Sequence, residues 1–231
     1  MRPAPRWLKL ALAWLFALAI LWQGWYVGWV IWWKYVDPGT TAFMRQRLAE
    51  LRARDPQAEL RHQWQDYERI SPHLKRAVIA AEDDKFVDHE GFDWEGMQKA
   101  LEKNQRRGKV VAGGSTISQQ LAKNLFLSAA KTPWRKAQEA AITVWLELFW
   151  SKRRILEVYL NSVEWGEGVF GAEAAARRYY NTGAGSLSAE QAARLAVMLP
   201  APRRHERNPY SAFMTGRTQV ILVRMRHSEV P

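Results

Sequence analysis

The sequence predicts a mainly α-helical domain tethered by one N-terminal transmembrane helix. Three observations carry that expectation. The stretch Leu10 to Trp33 contains no charged residue. Helix-start signals, a Ser, Thr or Asp ahead of an apolar period, recur along the rest of the 231 residues. Strand-like alternation is weak throughout. The length suits one membrane span plus one compact domain able to bury its own core.

The span is the first element. Its length, at about 1.5 Å rise per residue, covers a hydrocarbon core of roughly 30 Å. Arg2, Arg6 and Lys9 precede it, so residues 1–9 are expected in the cytoplasm and everything after Lys34 outside. Trp25, Trp29, Trp32, Trp33 and Tyr35 cluster at the exit, as an interfacial aromatic belt does. A cleaved signal peptide is the competing reading. It lacks a small-x-small cleavage site here, and its apolar core is normally shorter. The expected organisation is a cytoplasmic 1–9, an anchor 10–33, a juxtamembrane segment 34–60 and a main domain 61–231.

Within that domain the helices follow from their caps. Met44 to Arg54 is a charged helix beside the membrane. Ser71-Pro72 pairs an N-cap with Pro at N1 and opens a helix to about Asp84. Asp93 caps a helix from Trp94 to about Asn104. The basic, glycine-containing run Lys103 to Gly114 reads as a mobile loop. Ser115 is expected to cap the next helix, to Leu127. Thr132-Pro133 repeats the cap-plus-Pro signal and starts a helix to about Trp150; Ser151 begins another, through Asn161. Ser188 and Gln191 form a capping box before Ala192 to Leu199. A last amphipathic run covers Ala212 to Arg226.

The formal charge of +11 points to an anionic partner: nucleic acid, acidic lipid or a phosphate-bearing substrate. There is no cysteine, hence no disulfide framework and no thiolate metal site. In the Ser71 helix, Leu74, Val78 and Ile79 set an apolar stripe that continues to Glu82 and Phe86. A carboxylate on that stripe has a raised proton affinity, suited to a general base, unless it pairs with a buried Lys or Arg or frays at the helix end. Asp83, Asp84, Asp88 and His89 could suggest a metal, but no paired-His spacing supports one. In Ser115 to Leu127, Ile117, Leu121 and Leu125 form one stripe. Thr116, Gln120 and Lys123 form another, flanked by Gln119 and Asn124. That polar stripe is either a solvated face or, beside two glycines and a helix N-terminus, a seat for an anion. Arg135 and Glu139 are placed for an intrahelical ion pair. Lys152, Arg153 and Arg154 read as a solvated or membrane-facing run. Ser128 to Lys131 fits S-x-x-K by chance, since Lys131-Thr132-Pro133 fails the K-T-G partner.

Four stretches in order join these signals: EDxxFxxHxGxD (Glu82 to Asp93), GGSTISQQLAKN (Gly113 to Asn124), RKxxE (Arg135 to Glu139) and KxxILExYLN (Lys152 to Asn161). Together they resemble the glycosyltransferase family 51 domain over about Glu68 to Leu199, with a weaker echo in LPAPRRHERNPYS. With the anchor and short C-terminus, the chain looks like a monofunctional biosynthetic peptidoglycan glycosyltransferase. The resemblance implies a lysozyme-like helical fold at the outer face of the bacterial cytoplasmic membrane. It implies polymerisation of lipid II into glycan strands with inversion to a β-1,4 link and release of polyprenyl diphosphate.

By matching position, Glu82 is the implied base and Glu139 the second glutamate, organising the donor diphosphate. Lys123, Lys131, Arg135 and Lys152 match basic positions near that diphosphate; many relatives carry Arg where this chain has Lys131, which weakens bidentate phosphate gripping there. Ser115, Thr116, Gln119, Gln120 and Asn124 match donor-site polar positions, and Asp83, Phe86 and His89 shape the site. No cofactor is strictly implied, although a divalent cation, Mg or Mn, is compatible. The implied partners are lipid II, the growing strand, the membrane, and proteins of cell-wall synthesis or division, but no nucleic acid. The loop 103–114 is the candidate gate. A lytic enzyme of the same fold and a non-enzymatic membrane scaffold are the rival readings; the basic positions favour synthesis, since a glycan cleaver has no diphosphate to hold.

Overall fold

A computed structural model describes residues 5–109, 113–130 and 132–231 of the chain. Helix α1 (Arg6–Tyr35) runs past both ends of the expected 10–33 span and is the one described helix long and apolar enough to cross a membrane. Its strongly polar residue, Gln23, is not left bare: its Oε1 accepts from the Trp145 indole N–H at 3.0 Å. Two more bonds fasten the exit of α1. The Trp150 indole donates to the Val30 carbonyl at 2.7 Å, and the Arg154 guanidinium donates to the Trp33 carbonyl at 2.8 Å.

Helix α2 (Ala42–Arg52) begins at Thr41, whose hydroxyl accepts from the Met44 N–H. It is bonded into the domain through Arg47, which grips Glu164 with two bonds of 2.7 and 2.8 Å. Both side chains are buried. The capped helices then follow: α3 (Pro72–Glu82), α4 (Trp94–Arg107), α5 (Ile117–Phe126), α6 (Pro133–Phe149) and α7 (Lys152–Ser162). Ser71, Asp93, Thr132 and Ser151 each accept a backbone N–H from the first turn of their helix, so those four starts follow the sequence signals.

Two expectations are corrected. The cap of α5 is Thr116, not Ser115, because Thr116 has Gln119 three residues on and completes a reciprocal capping box. Helix α4 continues to Arg107 and stops where Gly108 takes φ 62°, so 103–107 is helix rather than loop. The remainder of the expected gate includes residues 110–112, outside the described residues.

The sequence also hides a small sheet. β1 (Arg61–His62) pairs in parallel with β3 (Val169–Phe170), and β2 (Glu164–Gly166) pairs antiparallel with β3. Strands this short carry no legible alternation. After it come α8 (Ala172–Tyr180), not foreseen, then α9 (Ala189–Met198), the short α10 (Pro202–His205), also unforeseen, and α11 (Ala212–Arg224). Gly171 opens α8 at φ 85°, and a Cβ there would meet the Asn161 carbonyl oxygen at 2.9 Å, so glycine is required.

In the core α3 packs on α9 and α11, while α5 is held among α2, α6 and α7. Trp165, Tyr159, Phe86 and Phe170 are the largest fully buried side chains. The ends of α3, α5 and α6 that meet in this packing carry the polar residues taken up below.

The Arg47–Glu164 pair supplies a stability test. Arg47→Ala leaves the buried Glu164 carboxylate unpaired and is expected to cost about 3–5 kcal/mol, whereas the double replacement Arg47→Met with Glu164→Leu recovers most of it. Thermal unfolding of the detergent-solubilised chain measures both; a silent single substitution contradicts the pairing.

Candidate active site

Glu82 is the last residue of α3. Its stripe mates Leu74, Val78 and Ile79 are buried, which carries the side chain inward as the spacing predicts. Its Oε2 accepts from the Gln120 amide at 2.8 Å. Its Oε1 is buried with no hydrogen-bond partner among the described residues. Burial raises the proton affinity of this carboxyl, and the Asp83 charge raises it further; the Gln120 bond, Lys123 and Arg217 pull it down. Among the described residues no cation is bonded to it directly.

The Gln120 amide cannot turn away. Its oxygen accepts from the fully buried Tyr159 hydroxyl at 3.0 Å, which leaves the NH2 to face Glu82. Asp83 is spent differently. Its Oδ2 accepts from the Ile117 N–H at the start of α5, and its Oδ1 faces His89 Nε2, both at 2.9 Å. The Gly91 N–H donates to His89 Nδ1, so the imidazole proton lies on Nε2 and points to Asp83. Asp83 and His89 thus stitch the end of α3 to the start of α5. Asp84, beside them, pairs with Arg224 of α11 at 3.1 Å.

A group of cations stands near this carboxyl. Lys123 lies within electrostatic range of Glu139, Arg135, Lys136 and Glu82. Burial lowers its proton affinity first; Glu139 and Glu82 raise it, and the two neighbouring cations lower it. Glu139, buried, pairs with Arg135 at 2.5 Å and with Lys136 from the first turn of the same helix. Lys136 also donates to the Ser115 hydroxyl at 3.3 Å, tying α6 to the approach to α5. Lys123 thus links Glu82 to the Glu139 group, where Lys123, Arg135 and Lys136 face one carboxylate, an arrangement with room for an anion. Lys136, the K of RKxxE, was given no role from the sequence, which carries no sign of its reach to Ser115 and Glu139.

The other expected positions divide. Gln120, Lys123 and Asn124 line a cavity of about 390 Å³ that Arg203 and Arg204 also border, so the echo motif LPAPRR contributes to it. Ser115 and Thr116 border a smaller cleft of about 130 Å³ with Glu82, Asp83 and Asp93. Thr116 and Gln119 exchange side chain-to-backbone bonds, and the Thr116 hydroxyl donates to the Gly91 carbonyl at 2.7 Å. Their polar groups are thus committed to the turn. Lys152 is turned to Glu147 at 2.9 Å, to the His89 carbonyl, and over the Phe86 ring, 4.8 Å from its centroid. It braces the Phe86–His89 turn. Glu147, which also accepts from Ser118, gave no sequence signal. Lys131 lies outside the described residues. No three His, Asp or Glu side chains converge as a metal site among the described residues.

A helical domain that holds a proton-accepting carboxyl near fixed cations suits transfer of a group from a donor with an anionic leaving group to a protic acceptor. Comparison with known proteins gives the particular family. The transglycosylase family matches residues 47–226. The biosynthetic peptidoglycan transglycosylase of Dechloromonas aromatica is 63% identical over 226 residues, covering 98% of this chain and 98% of that protein. The protein of the same name from Azoarcus sp. is 61% identical over 98% of this chain and 97% of its own length. That from Chromobacterium violaceum is 56% identical over 95% and 96%. The chain belongs to the transglycosylase family: it is a glycosyltransferase whose helical domain is of the lysozyme-like class.

The state of Glu82 has a thermodynamic consequence. A folded-state proton affinity above the unfolded value makes the ionised carboxylate a destabilising group once the pH exceeds both. Glu82→Gln removes that charge and keeps the Gln120 bond. Its melting temperature is expected to exceed that of the wild type by a few degrees at neutral pH. The gain shrinks as pH falls through the raised value and vanishes below the ordinary glutamate range. Calorimetry across pH tests this, and a variant less stable than wild type at pH 7 contradicts it.

Proposed function

We propose that the chain polymerises lipid II into peptidoglycan glycan strands at the outer face of the bacterial cytoplasmic membrane, crossing it once through α1 with residues 1–9 inside. The observation that carries the reading is the Glu82 carboxyl, held by the neutral Gln120 amide within range of Lys123, around which Arg135, Lys136 and Glu139 gather.

The donor is the growing strand, whose reducing-end sugar bears an α-linked polyprenyl diphosphate. The acceptor is the 4-hydroxyl of the next lipid II. Glu82 takes the hydroxyl proton as the oxygen bonds to the donor C1. The C1–diphosphate bond breaks, and its electron pair leaves on the diphosphate. One displacement opposite the leaving group inverts the centre to β-1,4, and no covalent enzyme intermediate is required. Charge growing on the diphosphate meets Lys123, Arg135 and Lys136, already fixed by Glu139 and Ser115, so stabilisation needs no rearrangement. Lys152 contributes by bracing the turn that carries His89. A divalent cation would arrive on the diphosphate itself, since both oxygens of Glu139 are taken by Arg135 and Lys136, and would supply further charge neutralisation. In this setting the protein partners are those of cell-wall synthesis and division.

Two outcomes test the reading. Purified full chain in detergent extends labelled lipid II, and Glu82→Gln lowers the rate by at least about 10²-fold, the scale of a lost general base. A chelator arm in the same assay measures any contribution from a divalent cation. Turnover of finished peptidoglycan without lipid II polymerisation overturns the assignment. The acid limb of kcat/KM is expected above the ordinary carboxylate range, because activity needs Glu82 ionised and burial raises its proton affinity. A rate that stays flat down to pH 4.5, the ordinary glutamate value, contradicts it.

A further inference from the structure

A cavity of about 870 Å³ has no part in the chemistry above. One wall is a face of α1: Leu18, Leu21, Trp25 and Trp29 recur at the spacing of a helical stripe. The other wall is Leu125 and Phe126, the last two residues of α5. Phe126 is clamped between Tyr26 and Trp33, with ring centroids 5.5 and 5.1 Å away. The α1 face of the groove is open: Leu18 is 58% and Trp25 63% exposed. It runs about 16 Å along the axis of a helix that meets the length and hydropathy of a membrane span.

The mouth has the opposite character. It is bordered by Asp37, Gly39, Thr40 and Arg45. Asp37 is neutralised by Arg154 at 2.8 Å. Arg154 is shared with Glu157, whereas Arg45 is exposed and makes no ion pair among the described residues, so an unpaired cation stands at the mouth. An apolar slot at membrane depth under a free cation fits a hydrocarbon chain with a phosphate head. Lys123 lies one turn before Phe126 on the same helix, so α5 joins the slot to the cations around Glu139.

We propose that this groove seats the polyprenyl chain of the lipid-linked donor and delivers its diphosphate past Arg45 toward Lys123. The inference rests on the lipid II reading. It makes the anchor part of the substrate site: α1 selects the chain while α5 and α6 hold the head.

The test uses the full chain in nanodiscs. A lipid II analogue with a photoreactive group in its polyprenyl chain is expected to label the Leu18–Trp29 face of α1 and the end of α5. Polyprenyl phosphate is expected to suppress that labelling, and phosphatidylglycerol to leave it unchanged. Gly39→Phe narrows the mouth, and a Cβ at that position meets nothing within 4 Å. It is expected to raise KM for long-chain lipid II about tenfold, the equivalent of about two buried methylenes, with kcat unchanged. A short-chain analogue is expected to be used equally well by wild type and variant. Labelling spread evenly round α1, equal competition by phosphatidylglycerol, or an unselective effect of Gly39→Phe overturns the proposal while lipid II polymerisation stands. Failure of the wild type to polymerise either substrate removes the lipid II reading and this inference together.

Discussion

Everything at the catalytic end of the molecule depends on one carboxyl group buried with a neutral partner. Glu82 and Asp83 are adjacent, yet their surroundings differ completely. Both oxygens of Asp83 face donors, one of them the first N–H of α5. Glu82 receives a single amide bond and keeps one oxygen empty. Had an arginine been placed against Glu82, the carboxylate would have been comfortable and a poor proton acceptor. Tyr159 prevents the alternative failure, in which Gln120 rotates and turns its oxygen toward the acid. The division of labour between two neighbouring acids is thus set by which donors the ends of α3, α5 and α7 present.

The cations beside it pose the inverse problem. Lys123, Arg135 and Lys136 would repel one another if gathered without a counter-charge. Glu139 solves this inside a single helix, since Arg135 and Lys136 lie one turn before it and fold onto its two oxygens. A diphosphate entering this group adds negative charge to a set already in place. The ionic contacts organise the fold of α6 and prepare the site at once, which is why an ordinary-looking intrahelical pair in the sequence becomes a chemical feature in the structure.

The sequence revealed helix starts better than helix roles. Ser71, Asp93, Thr132 and Ser151 cap as their side chains dictate. Between Ser115 and Thr116 the choice turns on which has a glutamine three residues on, a rule applied at Ser188 but overlooked there. Helix α8 escaped because Gly171 offers no capping side chain to mark its start. For the site, the inward face of Glu82 was legible because the stripe Leu74–Val78–Ile79 points there. The commitments of Thr116 to Gly91 and of Lys152 to His89 were not, since those partners lie 25 and 63 residues away. Long-range polar pairing leaves no period in a sequence. Arg217, which also acts on Glu82 from α11, is invisible for the same reason.

The joint between α1 and the domain has a mechanical meaning. Gln23 with Trp145, Val30 with Trp150 and Trp33 with Arg154 are three fixings spread over three turns of the same helix. A tether held at one point swivels; a rod fixed at three keeps its bearing. The height of the catalytic cleft above the lipid is then a built dimension rather than an average over a floppy stalk. An unrelated hydrophobic helix spliced in at 10–33 would still insert, but it would surrender that gauge, because only a span with these groups at these depths can hold the domain level.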